Sequence, residues 1–171
     1  MAVDESWNEL NALVRRHISA KDFAQAEPLV RRLIDITDSV DCLRLWHLFG
    51  VLAGVLTELQ RSGEATEMLQ RALSEARRAG PSAAVDAARY MLANHHLGHG
   101  DASDALSEAE PVPRGEGHTQ CLLHSVAALA HWKLGHRDEA MASARSALDT
   151  APTEDRRRSL SEELHEILAA S

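Results

Sequence analysis

The chain has 171 residues, enough for a buried core, and carries a formal net charge of −8 with only six aromatic side chains (three Trp, two Phe, one Tyr). Alanine, leucine, arginine and glutamate favour helix, and sparse Val, Ile and Thr leave little from which to build a sheet. The negative charge and the scattered arginine pairs argue against a nucleic-acid partner, which needs a concentrated positive field, and no apolar run reaches the roughly 20 residues that span a bilayer.

Breakers cut the chain into helix-length pieces. In chain order, helices are predicted near 5–19, 23–37, 41–60, 63–79, 82–98, 101–110, 118–134, 137–150 and 153–169. Asp22 and Gln25 have capping-box spacing at the second helix, and Pro28 should bend that helix or delay its start. Gly80-Pro81 should stop the fourth helix, with Ser82 free to cap the fifth. Gly98 marks an early end for the fifth, and the stretch Pro111 to Gly117 ends the sixth. Thr153 should cap the last helix, with Glu154 and Asp155 complementing its dipole. That helix carries Leu160, Leu164, Ile167 and Leu168 on one stripe, as a terminal capping helix would. Its Glu162, Glu163 and Glu166 read as solvated charge.

Short loops force neighbouring helices to pair antiparallel. Internal repetition then separates a stacked array from a closed bundle. Three turns, Gln60 to Ala65, Gly100 to Ala105 and Gly135 to Ala140, each place an alanine five residues after the first position. Ala53, Ala93 and Ala128 lie twelve residues before those alanines; Ala72 and Ala147 lie seven after two of them. Small side chains at such positions let the two helices of a hairpin approach closely at their crossing.

This pattern resembles the tetratricopeptide repeat (TPR). Cys121 to Pro152 matches its small, glycine and proline positions at Ala128, Gly135, Ala140, Ala147 and Pro152. The unit from Trp46 matches at Ala53, Ala65 and Ala72, with Gln60 in the glycine place. The unit from Val85 or Asp86 matches at Ala93, Gly100 and Ala105. The N-terminal unit, Trp7 to Ile36, keeps Ala26, while Val14 and Leu33 stand where small residues belong. The turn alanines 26, 65, 105 and 140 are 39, 40 and 35 residues apart. Such long units resemble those of helical sensor domains in bacterial transcription regulators and peptide receptors.

The resemblance implies an all-α, right-handed solenoid of antiparallel hairpins (5–37, 41–79, 82–110, 118–150) with a capping helix at 153–169, forming a single domain over 1–171. It also implies a non-enzymatic adaptor or scaffold, cytoplasmic and without a cofactor, that holds a protein or peptide along the first helices of its hairpins. Register then puts Asn8, Asn11, Arg15, His47, Gly50, Gly54, Thr57, Glu58, Tyr90, Asn94, Leu97, Leu122, Ser125, Leu129, Trp132 and Lys133 on that face. Asn11, Arg15, His47, Tyr90, Asn94, Leu129, Trp132 and Lys133 are the candidate partner-binding residues. Asn94 has the chemistry to bond both edges of an extended peptide. The Lys/Asn set that grips a C-terminal carboxylate in chaperone-binding relatives is missing.

Other readings remain open. The face, or an end helix, could form a homodimer. His95, His96 and His99 have the i, i+3 and i+4 spacings of a zinc or nickel pair, and His131 repeats the place of His96, yet no carboxylate or cysteine sits beside them at ligand spacing. Cys42 and Cys121 read as buried, reduced thiols. No nucleophile elbow, P-loop, HExxH or dinucleotide turn occurs. The initiating Met and the capping helix suit a free-standing protein, and the N-terminus lacks the basic and apolar segments of a signal peptide.

Overall fold

The computed structural model describes residues 2–110 and 118–170. Its helices are α1 (Ala2–Ser19), α2 (Phe23–Ile36), α3 (Cys42–Glu58), α4 (Ser62–Ala79), α5 (Ser82–His99), α6 (Ala102–Ala109), α7 (His118–Leu134), α8 (Arg137–Asp149), α9 (Glu154–Glu163) and α10 (His165–Leu168). There is no strand among the described residues. Two compact units divide at 88/89, inside α5. In the first, α1 packs on α2, α2 on α3, and α3 on α4; in the second, α6 packs on α7, α7 on α8, and α8 on α9 and α10.

One turn geometry recurs four times. Lys21, Gln60, Gly100 and Gly135, each five residues before a turn alanine, have φ of 56°, 61°, 92° and 83°. The N–H of the following residue (Asp22, Arg61, Asp101 or His136) donates back to the carbonyl of His17, Leu56, His96 or His131, at 2.9–3.0 Å. That left-handed residue with its long-range bond closes a helix end and satisfies its last carbonyls. The carbonyls of Asp22, Arg61, Asp101 and His136 accept from Ala26, Ala65, Ala105 and Ala140, opening the next helix. The N-terminal hairpin, the weakest match in sequence, therefore shares the turn, with lysine bearing a conformation that glycine adopts more readily.

The alanine seam is buried throughout. Ala26, Ala53, Ala65, Ala72, Ala93, Ala105, Ala128, Ala140 and Ala147 are all at most 1% exposed. In the first unit the seam is set among Val30, Leu33, Leu45, Leu48, Leu52, Leu56 and Leu69. The second unit has two clusters. One joins Ala93, Leu97, Ala102, Ala105 and Ala109 to Leu123, Val126, Ala127 and Ala130. The other joins Cys121, Ala128, Ala140, Ala144 and Ala147 to Leu160, Leu164 and Ile167. Ala147 thus makes room for the capping segment, as its repeat position suggests.

Several local expectations change. Asp22 makes no side-chain cap; its carboxylate lies 3.2 Å from His17 Nδ1 instead. Pro28 does not delay α2, which starts at Phe23. Helix α5 begins at Ser82 itself, with the Pro81 carbonyl accepting from Ala84 and Val85. It also runs past Gly98 to His99, because the turn glycine that ends it is Gly100. Thr153 does cap α9, accepting from the Arg156 N–H at 3.2 Å. The single helix expected at 153–169 breaks at Leu164 (φ −100°, ψ 12°), although neither glycine nor proline marks the place. Cys121 is buried and Cys42 only half-buried. The 111–117 stretch lies outside the described residues.

Charge supports the seam between hairpins of the first unit. Arg61, at the start of α4, reaches Glu27 of α2 at 2.7 Å and Glu64 at 2.6 Å, and Arg31 meets Glu27 at 2.8 Å. The hydrogen bond from Arg61 holds the Glu64 carboxyl below its ordinary range.

Candidate functional site

The first helices of the hairpins are α1 and α3 in the first unit, and α5, α7 and the capping α9 in the second. In the first unit, residues at helical spacing carry Asn11, Arg15 and Ile18 along α1, and His47, Val51, Gly54 and Glu58 along α3. Arg15 and His47 are exposed and Asn11 is half-buried. A cavity of about 470 Å³ opens here, lined by Ile18, Ser19, Lys21, Phe23, Val51, Gly54, Val55 and Glu58. Its floor is apolar, with a cation and an anion on the rim.

The two interior glycines of α3 part company. Gly50 is buried, as are Leu45, Leu48, Phe49 and Leu52 of the same helix. Gly54 is exposed, and a Cβ built on it would meet nothing within 4 Å. Each interior glycine costs a helix about 1 kcal/mol relative to alanine. Among the described residues, no neighbouring atom within 4 Å accounts for that cost at Gly54. Thr57, also on the register, turns its hydroxyl inward to the Ala53 carbonyl at 2.9 Å.

The second unit presents a different surface. Tyr90 of α5 is half-buried against the cluster around Leu97 and Leu123. Burial pushes its phenol up, and the Glu163 carboxylate on α9 pushes the same way. Glu163 in turn accepts a 3.0 Å hydrogen bond from Ser125 of α7, itself 2% exposed. His124 beside it is half-buried, and desolvation draws its imidazole below the ordinary value. The buried Nε of Arg156 makes no hydrogen bond among the described residues. Asn94 is exposed, one turn beyond Tyr90. Tyr90, Ser125, Arg156 and Glu163 are thus drawn together from three helices. Glu163 has a specific partner rather than water alone. Sequence reading missed that role because nothing local ties α9 to α7.

The remaining candidates are placed as follows. Leu129 is half-buried between the two clusters of the second unit. Lys133 is tied down, its ammonium donating to the Leu97 carbonyl at 3.0 Å. Trp132 packs on the cluster of Ala128, Ala140 and Leu160 and lies beneath Arg137, whose guanidinium carbon is 3.5 Å from the ring centroid.

Among the histidines, the His95 and His99 rings are 4.4 Å apart and the His95 and His96 rings 6.2 Å. No group of three or more His, Cys, Asp or Glu among the described residues is placed to hold a metal ion. His131 is buried and uses opposite ring nitrogens, Nε2 towards Glu110 at 3.2 Å and Nδ1 towards His136 at 3.4 Å, so these groups do not converge on one point. Among the described residues no helix is long and apolar enough to cross a membrane.

Solved structures share this architecture. A protein of Podosopora anserina, described as a putative kinesin light chain with nearly identical TPR-like repeats, superposes with a TM-score of 0.73 at 19% identity, covering 95% of this chain and 85% of that one. A methionine point variant of that protein gives 0.75 at 18% identity over the same shares. BtubC (BKLC) from P. vanneervenii gives 0.68 at 16% identity, over 98% of this chain and 82% of that one. No family model matches the chain, and neither does any curated protein. The fold is that of TPR-like helical repeats. In this class, paired helices stack by their small-residue seams and leave helix faces available to other proteins.

Proposed function

We propose that the protein is a non-enzymatic adaptor or scaffold that holds a segment of a partner protein on the first-helix faces of its hairpins, in the cytoplasm and in a regulatory or sensing role. The observation that carries this reading is Gly54: a helix-interior glycine lining an open, mostly apolar cavity, with no neighbour among the described residues within 4 Å of where its Cβ would stand. Close approach of a partner to the α3 backbone supplies the missing reason, because a glycine lets a second chain come nearer than any side chain would. Exposed Asn94 and half-buried Tyr90 offer the second unit's face hydrogen bonds and an aromatic edge of the kind interfaces favour. A net charge of −8 favours proteins over polyanions as partners.

The test is a matched pair of variants. Gly54→Ala should stabilise the fold by about 1 kcal/mol in urea unfolding, since its methyl enters open space and helix propensity rises. Gly54→Leu should remain folded while filling the cavity. Partner proteins isolated from cell extract on the wild-type chain should be lost at least tenfold on the leucine variant. Equal recovery on both, or no specific recovery on either, would count against the reading.

A further inference from the structure

The second unit has a cavity formed mainly by α8 and the capping segment. It has a volume of about 670 Å³ and is lined by Trp132, Arg137, Asp138, Met141, Ala142, Arg145, Ile167 and Ala170. One wall is the α8 stripe of Asp138, Met141, Ala142 and Arg145, at the i, i+3, i+4 and i+7 spacing of a single helix face. Ile167 and Ala170 of the capping segment and Trp132, near the C-terminal end of α7, complete the lining. Trp132, Met141 and Ile167 make its apolar part.

Two cationic side chains, Arg137 and Arg145, stand in this lining. Arg137 and Arg145 are exposed, and neither forms an ion pair among the described residues, in a protein with eight more acids than bases. Asp138 is the one carboxylate among the lining residues. The Arg137 guanidinium carbon lies over the Trp132 ring, 3.5 Å from its centroid, so the ring restrains it. A guanidinium so held loses less entropy when it grips a carboxylate, and it can do so with two parallel bonds. Eight residues of helix separate the two arginines by about 12 Å along the axis. Acidic residues four apart in an extended chain stand about 13 Å apart.

We propose that this cavity is a second docking site, taken by a partner-protein segment that presents an apolar side chain between two carboxylates. The carboxylates pair with Arg137 and Arg145, and the apolar group lies on Trp132, Met141 and Ile167. Charge complementarity selects the occupant; the apolar floor supplies burial.

The experiment uses the whole chain and a fluorescein-labelled peptide with a central Glu-Ser-Leu-Ser-Glu, read by anisotropy. Binding should weaken at least tenfold when both Glu are replaced by Lys, and severalfold when the Leu is replaced by Ser. Arg145→Glu and Arg137→Gln should each lower affinity tenfold or more, and raising salt from about 50 to 300 mM should weaken binding severalfold, as screened charge pairs require. Gly54→Leu should leave this binding unchanged, which separates it from the first-helix reading. Absence of binding by the acidic peptide, equal binding of its lysine version, or indifference to Arg145→Glu overturns the proposal. So does a concentration-dependent dimer that Arg145→Glu abolishes, since the occupant is then a second copy of the chain.

Discussion

The two units build the same turn and the same alanine seam, yet they fill their cores differently. Among the described residues, alanine supplies seven of twenty buried apolar positions in the first unit and ten of eighteen in the second. The first unit surrounds its seam with leucine, valine and Phe49, so its stability rests on buried volume. The second relies more on close backbone approach, with its larger side chains divided between Leu92, Leu97, Leu123 and Val126 on α5 and α7 and Leu160, Leu164 and Ile167 on the capping segment. Their first-helix faces differ in the same sense. The first unit has an apolar cavity with Gly54 at its edge, while the second has a polar group of Tyr90, Ser125, Arg156 and Glu163.

The comparison can be broken by substitution. The largest effect belongs to Leu56→Ala, which removes a fully buried side chain from the first unit. We expect a loss of about 2–5 kcal/mol in urea unfolding, from lost transfer energy and an unfilled hole. A loss under about 1 kcal/mol would mean that volume is not what stabilises this unit. Next comes Ala140→Leu in the second unit, where the added atoms have no room between α7 and α8. Overpacking should cost about 1–3 kcal/mol, seen as a lower midpoint at unchanged m-value. Tolerance of leucine there would refute the claim of close approach.

The smallest effect sharpens what the units have in common. Gln60 holds a left-handed conformation at φ 61° where Gly100 and Gly135 stand in the second unit. Gln60→Gly should therefore stabilise by up to about 1 kcal/mol, because the left-handed strain is relieved. Destabilisation would indicate that the glutamine side chain contributes more than its backbone loses.

The repeat was legible because it is written in local chemistry. A turn followed at fixed distance by a small residue marks both ends of a helix and the point where its neighbour crosses, and all three signals lie within one hairpin. Even so, the N-terminal unit looked weaker than it is, since Lys21 disguises the position that glycine marks elsewhere. Helix caps were read less well. Asp22 prefers His17 to the helix it precedes, a choice between two nearby donors that spacing does not decide. The break at Leu164 has no local cause in the sequence at all.

Candidate surfaces were legible only in part. Register alone put Trp132 and Lys133 among the first-helix residues. In three dimensions Trp132 lies under Arg137 and beside Met141, and the Lys133 ammonium is spent on the end of α5. Glu163 is exposed, as the sequence suggests, and in addition accepts a hydrogen bond from Ser125, 38 residues away, which no local pattern records.

By itself, the sequence determined most of the helices, three of the turns between them and the small-residue seam, because each depends on side chains within a few residues or at a fixed repeat distance. Only the tertiary structure decided which of two similar glycines is buried, which arginines pair with an acid among the described residues, and where the two cavities open. Those properties depend on what lies across from a residue rather than beside it, and one strand of letters does not record that.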